Sequence, residues 1–194
     1  MKVLLVDADE QRAKTLMREL KSAGHKVVGR IADAHALIEG VARLRPEIII
    51  IDMASPDRDT LESMRLLSRD DPSPIVMFAE RSDPLTIRKA IQAGVSAYVV
   101  DQINVERLQS VMHVAIARFE ESQALHRELA STKTKLADRR DIDRAKGLLM
   151  EHHGMNETEA YQALRKLAMD RNITIGEVSR NLIAMADLLN PKKT

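Results

Sequence analysis

An α/β domain followed by an all-α tail is the fold class this sequence predicts, and three observations carry it. Short β-branched and apolar runs alternate with amphipathic stretches through residue 103. Glycine and proline then vanish from residues 104–140. Residues 141–189 divide into three short amphipathic helices separated by capping signals. Apolar runs that alternate with helices imply a parallel sheet covered on both faces, since a strand buried on both sides has no polar face to show.

Taken in order, strands are expected at Val3–Val6, Val27–Ile31, Ile48–Ile51, Ile75–Ala79 and Ala97–Val100. Helices are expected at Glu10–Ala23, Ala34–Arg43, Thr60–Arg69 and Pro84–Ala93. Ala23-Gly24 and Ala93-Gly94 supply the glycine that ends a helix in the left-handed conformation. The expected product is a five-stranded doubly wound sheet whose working end lies where the strands finish. Residues 104–140 then read as one long helix. Leu108, Ala115, Ser122, Leu129 and Leu136 recur every seven residues, with Val111, Leu125 and Thr132 between them and Arg118 and Arg139 interrupting that second row. The pattern fits a solvated connector or a dimerising coiled coil through Leu108, Ala115, Leu125, Leu129 and Leu136. A helix of this length must cover its leucines with something, which favours the coiled coil.

The tail is expected to hold helices at Asp141–His152, from Asn156 to Asp170, and from Thr174 to Leu189. Asn156 with Glu159 and Thr174 with Glu177 are capping boxes, and Pro191-Lys-Lys-Thr reads as a frayed end.

Composition narrows the function. The 194 residues contain no cysteine, so disulfides and thiolate metal sites are excluded. The four apolar residues between Lys2 and Asp7 are too few for a signal-peptide core, and no run reaches membrane-spanning length, so a cytoplasmic protein without membrane contact is expected. The net charge of +1 is spread evenly: residues 1–119 hold 17 Lys+Arg against 17 Asp+Glu, and residues 120–194 hold 13 against 12. Any nucleic-acid surface must therefore be a local patch. Aromatics are only 2%, too few for a stacked single-strand platform.

Asp7 follows the first strand and Asp52 the third, positions that converge at the carboxyl edge, with Asp9 close by. Paired carboxylates there can hold Mg²⁺ weakly, and one could accept a phosphoryl group. The pattern resembles the receiver domain of bacterial response regulators, a flavodoxin-like fold, over residues 1–117. The resemblance makes Asp52 in IIIIDMASPD the phospho-acceptor and Asp7 in LLVDADE one of two metal-holding acids. The departures are Ala8 for the second acid, Ala79 for a hydroxyl that would touch the phosphoryl group, and Asp101 for a lysine that would pair with it. Replacing that cation by an anion costs several kcal/mol or forces a carboxylate to protonate. The expectation is therefore that Asp7 and Asp52 cap strand ends, and that the domain serves as a docking surface.

In the tail, Ala145-Lys-Gly-Leu-Leu-Met, Gly154, Glu159-Ala-Tyr, Leu164-Arg-Lys-Leu-Ala-Met and Ile173 resemble the ANTAR domain, the three-helix RNA-binding module of transcription antiterminators. The order of receiver (1–117), coiled coil (104–140) and ANTAR module (141–190) resembles the AmiR/NasT regulators, and within them the nitrate-assimilation branch. That resemblance implies a homodimer gripping paired hairpin loops in nascent leader RNA of nitrate/nitrite assimilation genes. It also implies release from a nitrate/nitrite-sensing partner protein similar to NasS.

The residues read on their own supply candidates for that contact. Arg140, Arg144 and Lys146 surround Gly147, and Arg165, Lys166 and Arg171 form a second basic row. Such cations suit phosphate and base edges of folded RNA, although the interleaved Asp138, Asp141, Asp143, Glu157 and Glu159 suit a solvated face equally. Gly147 serves either a close helix crossing, the first explanation, or a close phosphate approach. Tyr161 stacks on a base or packs in the core. His152-His153 lack partners at metal-ligand spacing, and Met150, Met155, Met169 and Met185 read as core filler. The competing function is a phosphorylation-dependent two-component regulator that binds DNA through its last helices. No nucleophile–base pair or cofactor loop suggests an enzyme.

Overall fold

The computed structural model describes residues 1–33, 36–100 and 105–189. It divides into two compact units, Met1–Gln123 and Ala124–Thr194. In the first, β1 (Lys2–Asp7), α1 (Glu10–Ser22), β2 (Lys26–Ile31), α2 (Leu37–Leu44), β3 (Ile48–Met53), α3 (Arg58–Asp70), β4 (Ile75–Ala79), α4 (Pro84–Gln92) and β5 (Ala97–Val100) alternate, and α5 (Val105–His153) begins. Every strand pairing is parallel, in the order β2-β1-β3-β4-β5. The order reverses between β1 and β3, so their carboxyl ends open a crevice between diverging loops.

Successive strand residues point to opposite faces, both covered, which is why the interior strands β1, β3 and β4 are apolar through Val3–Val6, Ile48–Ile51 and Ile75–Ala79. Ala13, Leu16 and Leu20 of α1, with Leu108, Met112 and Ala115 of α5, cover Val3, Leu5, Ile48 and Ile50. On the other face Leu37, Val41, Met64, Leu67 and Ala90 of α2, α3 and α4 cover Leu4, Val6, Ile49 and Ile51. Leu108 and Ala115 are thus core residues of the sheet unit, and their expected place in a dimer seam is corrected: both are buried inside their own chain. Gly94, at φ +102, ends α4 as expected, and a side chain there would collide with Ser68. α3 starts two residues before the expected Thr60 because Asp57 accepts from the Thr60 N–H at 2.7 Å. The expected start of the second helix at Ala34 lies outside the described residues, as do Asp101 and the Pro191–Thr194 tail.

No break separates a linker helix from the first tail helix: α5 runs 49 residues without interruption. Arg139 through Leu149 offer no proline and no capping turn, and a lone Gly147 costs only about 1 kcal/mol. α5 stops where Gly154 takes φ +66. The second unit packs the end of α5 with α6 (Glu157–Arg171) and α7 (Ile175–Leu189) around Ala145, Leu164, Ala168, Val178 and Ile183. Both capping boxes form. Asn156 and Glu159 exchange bonds of 3.0 and 2.9 Å, and Thr174 and Glu177 bonds of 3.2 and 2.8 Å.

Candidate functional site

Two places bring chemistry-bearing side chains together, one in each unit. The first is the carboxyl edge of the sheet. Asp7 and Asp52 are register partners across β1 and β3, with side chains 0% and 3% exposed. Asp9 does not join them. Its Oδ1 accepts the Gln11 and Arg12 N–H groups at 2.8 and 3.0 Å and caps α1. Capping holds the Asp9 carboxyl below its usual range, chiefly through the Arg12 N–H.

That cap fixes the first turn of α1 so that Arg12 lies over the corner. Its Nη2 and Nε fork onto Asp7 Oδ1 and Oδ2 at 2.9 and 3.1 Å. The same Nε lies 3.0 Å from Asp52 Oδ2, and Nη1 lies 3.8 Å from Glu80. Because the Nε–H points at Asp7, Asp52 Oδ2 is buried without a hydrogen bond among the described residues. Burial pushes the Asp52 carboxyl up to about 6, against the pull of Arg12 and with a further push from Asp7. Arg30 ties down the loop above, its Nη2 donating to Asp7 O at 2.9 Å and to Ala8 O at 3.2 Å.

A receiver fold implies Mg²⁺ at this corner. The donor set does not fit one as arranged: both Asp7 oxygens serve Arg12, Asp9 serves the helix cap, and Ala8 offers no carboxylate. Among the described residues no group of three His, Asp or Glu side chains could hold a metal ion. Ala79, at the end of β4, is fully buried and brings no hydroxyl. Arg12 escaped the sequence reading, although an N-cap at Asp9 predicts that the third residue of its helix leans over the preceding strand end.

The second place is the three-helix unit. Ala145 and Ala160 pack in its interior as small residues should. Gly147 does not: nothing lies within 4 Å of where its side chain would be, so the helix-crossing explanation is wrong. The glycine at a crossing is Gly176, buried on α7, where a side chain would collide with the Asp138 carboxylate. Asp138 in turn pairs with Arg180 at 2.5 Å. The sequence reading missed this triplet because its partners lie 38 and 42 residues apart.

The expected basic residues separate into two kinds. Arg144 pairs with Asp187 at 2.7 Å, and Lys146, only 16% exposed, lies between Asp143 and Glu157 at 2.8 and 2.7 Å. Arg140, Arg165, Lys166 and Arg171 are exposed and form no ion pair among the described residues. Tyr161 is 42% exposed, which settles against a core tyrosine. It heads a stripe on α6 in which Arg165 and Met169 follow at four-residue spacing, with Lys166 beside them. The α6 residues facing inward are Ala160, Leu164 and Ala168. Met150, Met169 and Met185 are exposed and not core filler. Apolar residues can recur at helical spacing on an outer face as well, so periodicity alone misplaced them.

A parallel 2-1-3-4-5 sheet with an acidic carboxyl edge, followed by a separate three-helix unit, defines a two-part signalling protein of the receiver-plus-output class. The response regulator receiver domain matches residues 3–113, and the ANTAR domain matches residues 130–183. The chain belongs to the response regulators that carry an ANTAR domain. The transcriptional regulatory protein PdtaR of Mycobacterium tuberculosis is 30% identical over 193 residues, spanning 100% of this chain and 93% of the relative. A nitrate regulatory protein of Klebsiella oxytoca is 44% identical over 75 residues, 38% of this chain and 19% of that protein. In fold, the sheet unit matches the receiver domain of a modulated diguanylate cyclase from Desulfovibrio desulfuricans at TM-score 0.54 and 23% identity, covering 62% of this chain and 97% of the other.

Proposed function

We propose that this chain is a transcription antiterminator whose second unit grips hairpin loops of nascent leader RNA. The observation that carries the reading is the α6 stripe: an exposed Tyr161 in line with Arg165 and beside Lys166, neither cation engaged by a carboxylate among the described residues. An aromatic face accepts an unstacked base, and guanidinium and ammonium groups accept phosphate and base edges, which is the chemistry a folded loop displays. Arg140 and Gly147, exposed on α5, are further candidates, the absent side chain at Gly147 leaving room for a phosphate to approach the helix backbone. Arg171 stands at the exit of α6. Arg144 and Lys146 are engaged by carboxylates, which assigns the ligand contacts to the others.

Two loops held by two copies would keep the terminator from pairing. Leu125, Leu129 and Leu136 on α5 support the dimer, being 60, 52 and 53% exposed. The ANTAR match and the likeness to the nitrate regulatory protein support an RNA target in nitrate or nitrite assimilation, with release from a nitrate/nitrite-sensing partner as the control.

The test is competition between a two-loop leader RNA and duplex DNA of equal length for the full chain. The RNA is expected to win by about tenfold or more at physiological salt. Equal competition overturns the reading. Reversing charge at Arg165 and Lys166 is expected to weaken RNA binding and to lower the salt slope by about one for each phosphate no longer neutralised.

A further inference from the structure

The geometry points to a resident cation in the acidic corner: Arg12 fills the place of a divalent metal ion and keeps one out. This goes beyond the RNA reading and concerns the sheet unit alone. Three carboxylates face one guanidinium there, at 2.9 and 3.1 Å from Asp7, 3.0 Å from Asp52 and 3.8 Å from Glu80. Two independent features show that the arrangement is built. The Asp9 cap fixes α1's first turn and commits Asp9 Oδ1, a carboxylate oxygen beside the corner, to the Gln11 and Arg12 N–H groups. Asp52 Oδ2, on a side chain only 3% exposed, is aimed at the guanidinium without a hydrogen bond of its own. Such an oxygen is what a cation of higher charge density would claim if the guanidinium left.

Electrostatics give the reason for a tethered cation. Two buried carboxylates on adjacent strands repel each other strongly in a poorly solvated corner, and some positive charge must offset them. A metal ion does so only while its concentration suffices. A guanidinium attached to α1 does so always, its planar fork engaging Asp7 at 2.9 and 3.1 Å while its charge stays 3.0 Å from Asp52. The corner is thereby held in one state whatever the Mg²⁺ level.

The experiment is Mg²⁺ titration of the full chain by calorimetry, with thermal unfolding in MgCl₂ compared against NaCl of equal ionic strength. The natural chain is expected to show no saturable Mg²⁺ binding and no melting shift beyond that of NaCl. Arg12→Met, which keeps much of the stem and removes the charge, is expected to bind Mg²⁺ at least about tenfold more tightly and to melt higher in its presence. Arg12→Lys, retaining a cation, is expected to stay close to the natural chain, and it carries the test if the methionine variant does not fold. Equal Mg²⁺ affinity in the natural chain and Arg12→Met overturns the inference. So does a lysine variant that takes up Mg²⁺ about tenfold more tightly than the natural chain.

Discussion

Two glycines of the three-helix unit have opposite expected responses to a methyl group. Gly147 has open space around it in the middle of α5, so Gly147→Ala should raise stability by about 1 kcal/mol from helix propensity alone. Gly176 is buried against Asp138, and Gly176→Ala must push that carboxylate away from Arg180, costing about 1–2 kcal/mol. Urea midpoints of the two variants check the pair of signs; shifts in the same direction would contradict the packing described. If RNA also uses the gap at Gly147, the more stable Gly147→Ala chain binds it less well, a combination a purely structural glycine would not give. Asp52 offers a third residue-scale outcome. Its carboxyl is raised to about 6 by burial, so the neutral form is favoured in the fold. The penalty for ionising it is absent well below its unfolded value near 4 and is complete above about 6. Asp52→Asn should therefore stabilise the chain by about 1–3 kcal/mol at pH 7.5, and the gain should shrink as the pH falls toward about 4 and vanish well below it. Denaturant midpoints across that range decide it, and a gain that grows toward acid pH would reverse the assignment.

The helices and strands were legible in the sequence because each has a short-range cause. Ile48–Ile51 can only be a doubly covered strand, and Asn156 with Glu159 can only open a helix efficiently. What the sequence hid are choices between faces. The seven-residue row on α5 is one row by spacing, yet its first members, Leu108 and Ala115, pack on the sheet while Leu125, Leu129 and Leu136 stay exposed. Periodicity registers that a face is apolar and does not register what covers it. The same blindness placed Met169 in the core and left Tyr161 undecided. At the element scale the expectation concerns the exposed half of that row. A helix with three leucines more than half exposed gains most from pairing with a copy of itself, so Leu129→Lys with Leu136→Lys should leave a monomer in sedimentation. An undiminished dimer would assign association to some other surface. Helix content by circular dichroism should be retained, because lysine is nearly as good a helix former as leucine.

For the whole molecule the question is how a receiver fold can regulate without the usual chemistry of one. Ala79 supplies no hydroxyl at the end of β4, Asp9 is spent on a helix cap, and the Arg12 guanidinium already bonds Asp7 and stands 3.0 Å from Asp52. The lysine position taken by Asp101 lies outside the described residues, and these three features do not depend on it. A phosphoryl group added to Asp52 would have to displace Arg12 from an oxygen 3.0 Å away and find no metal-binding cluster beside it among the described residues. Control by binding is then the economical alternative: a partner that covers the sheet unit can act without altering a single bond. The consequence is measurable. If control runs through partner binding and not through the corner, treating the full chain with acetyl phosphate and Mg²⁺ should leave its leader-RNA affinity within about twofold, the same as for Asp52→Asn. If the natural chain gained about tenfold in affinity after treatment and Asp52→Asn gained none, a coupling of roughly 1.4 kcal/mol between the corner and the RNA surface would exist. Arg12 would then have to be understood as a gate opened by phosphorylation, with the tethered cation moving from Asp52 to the new phosphoryl oxygens.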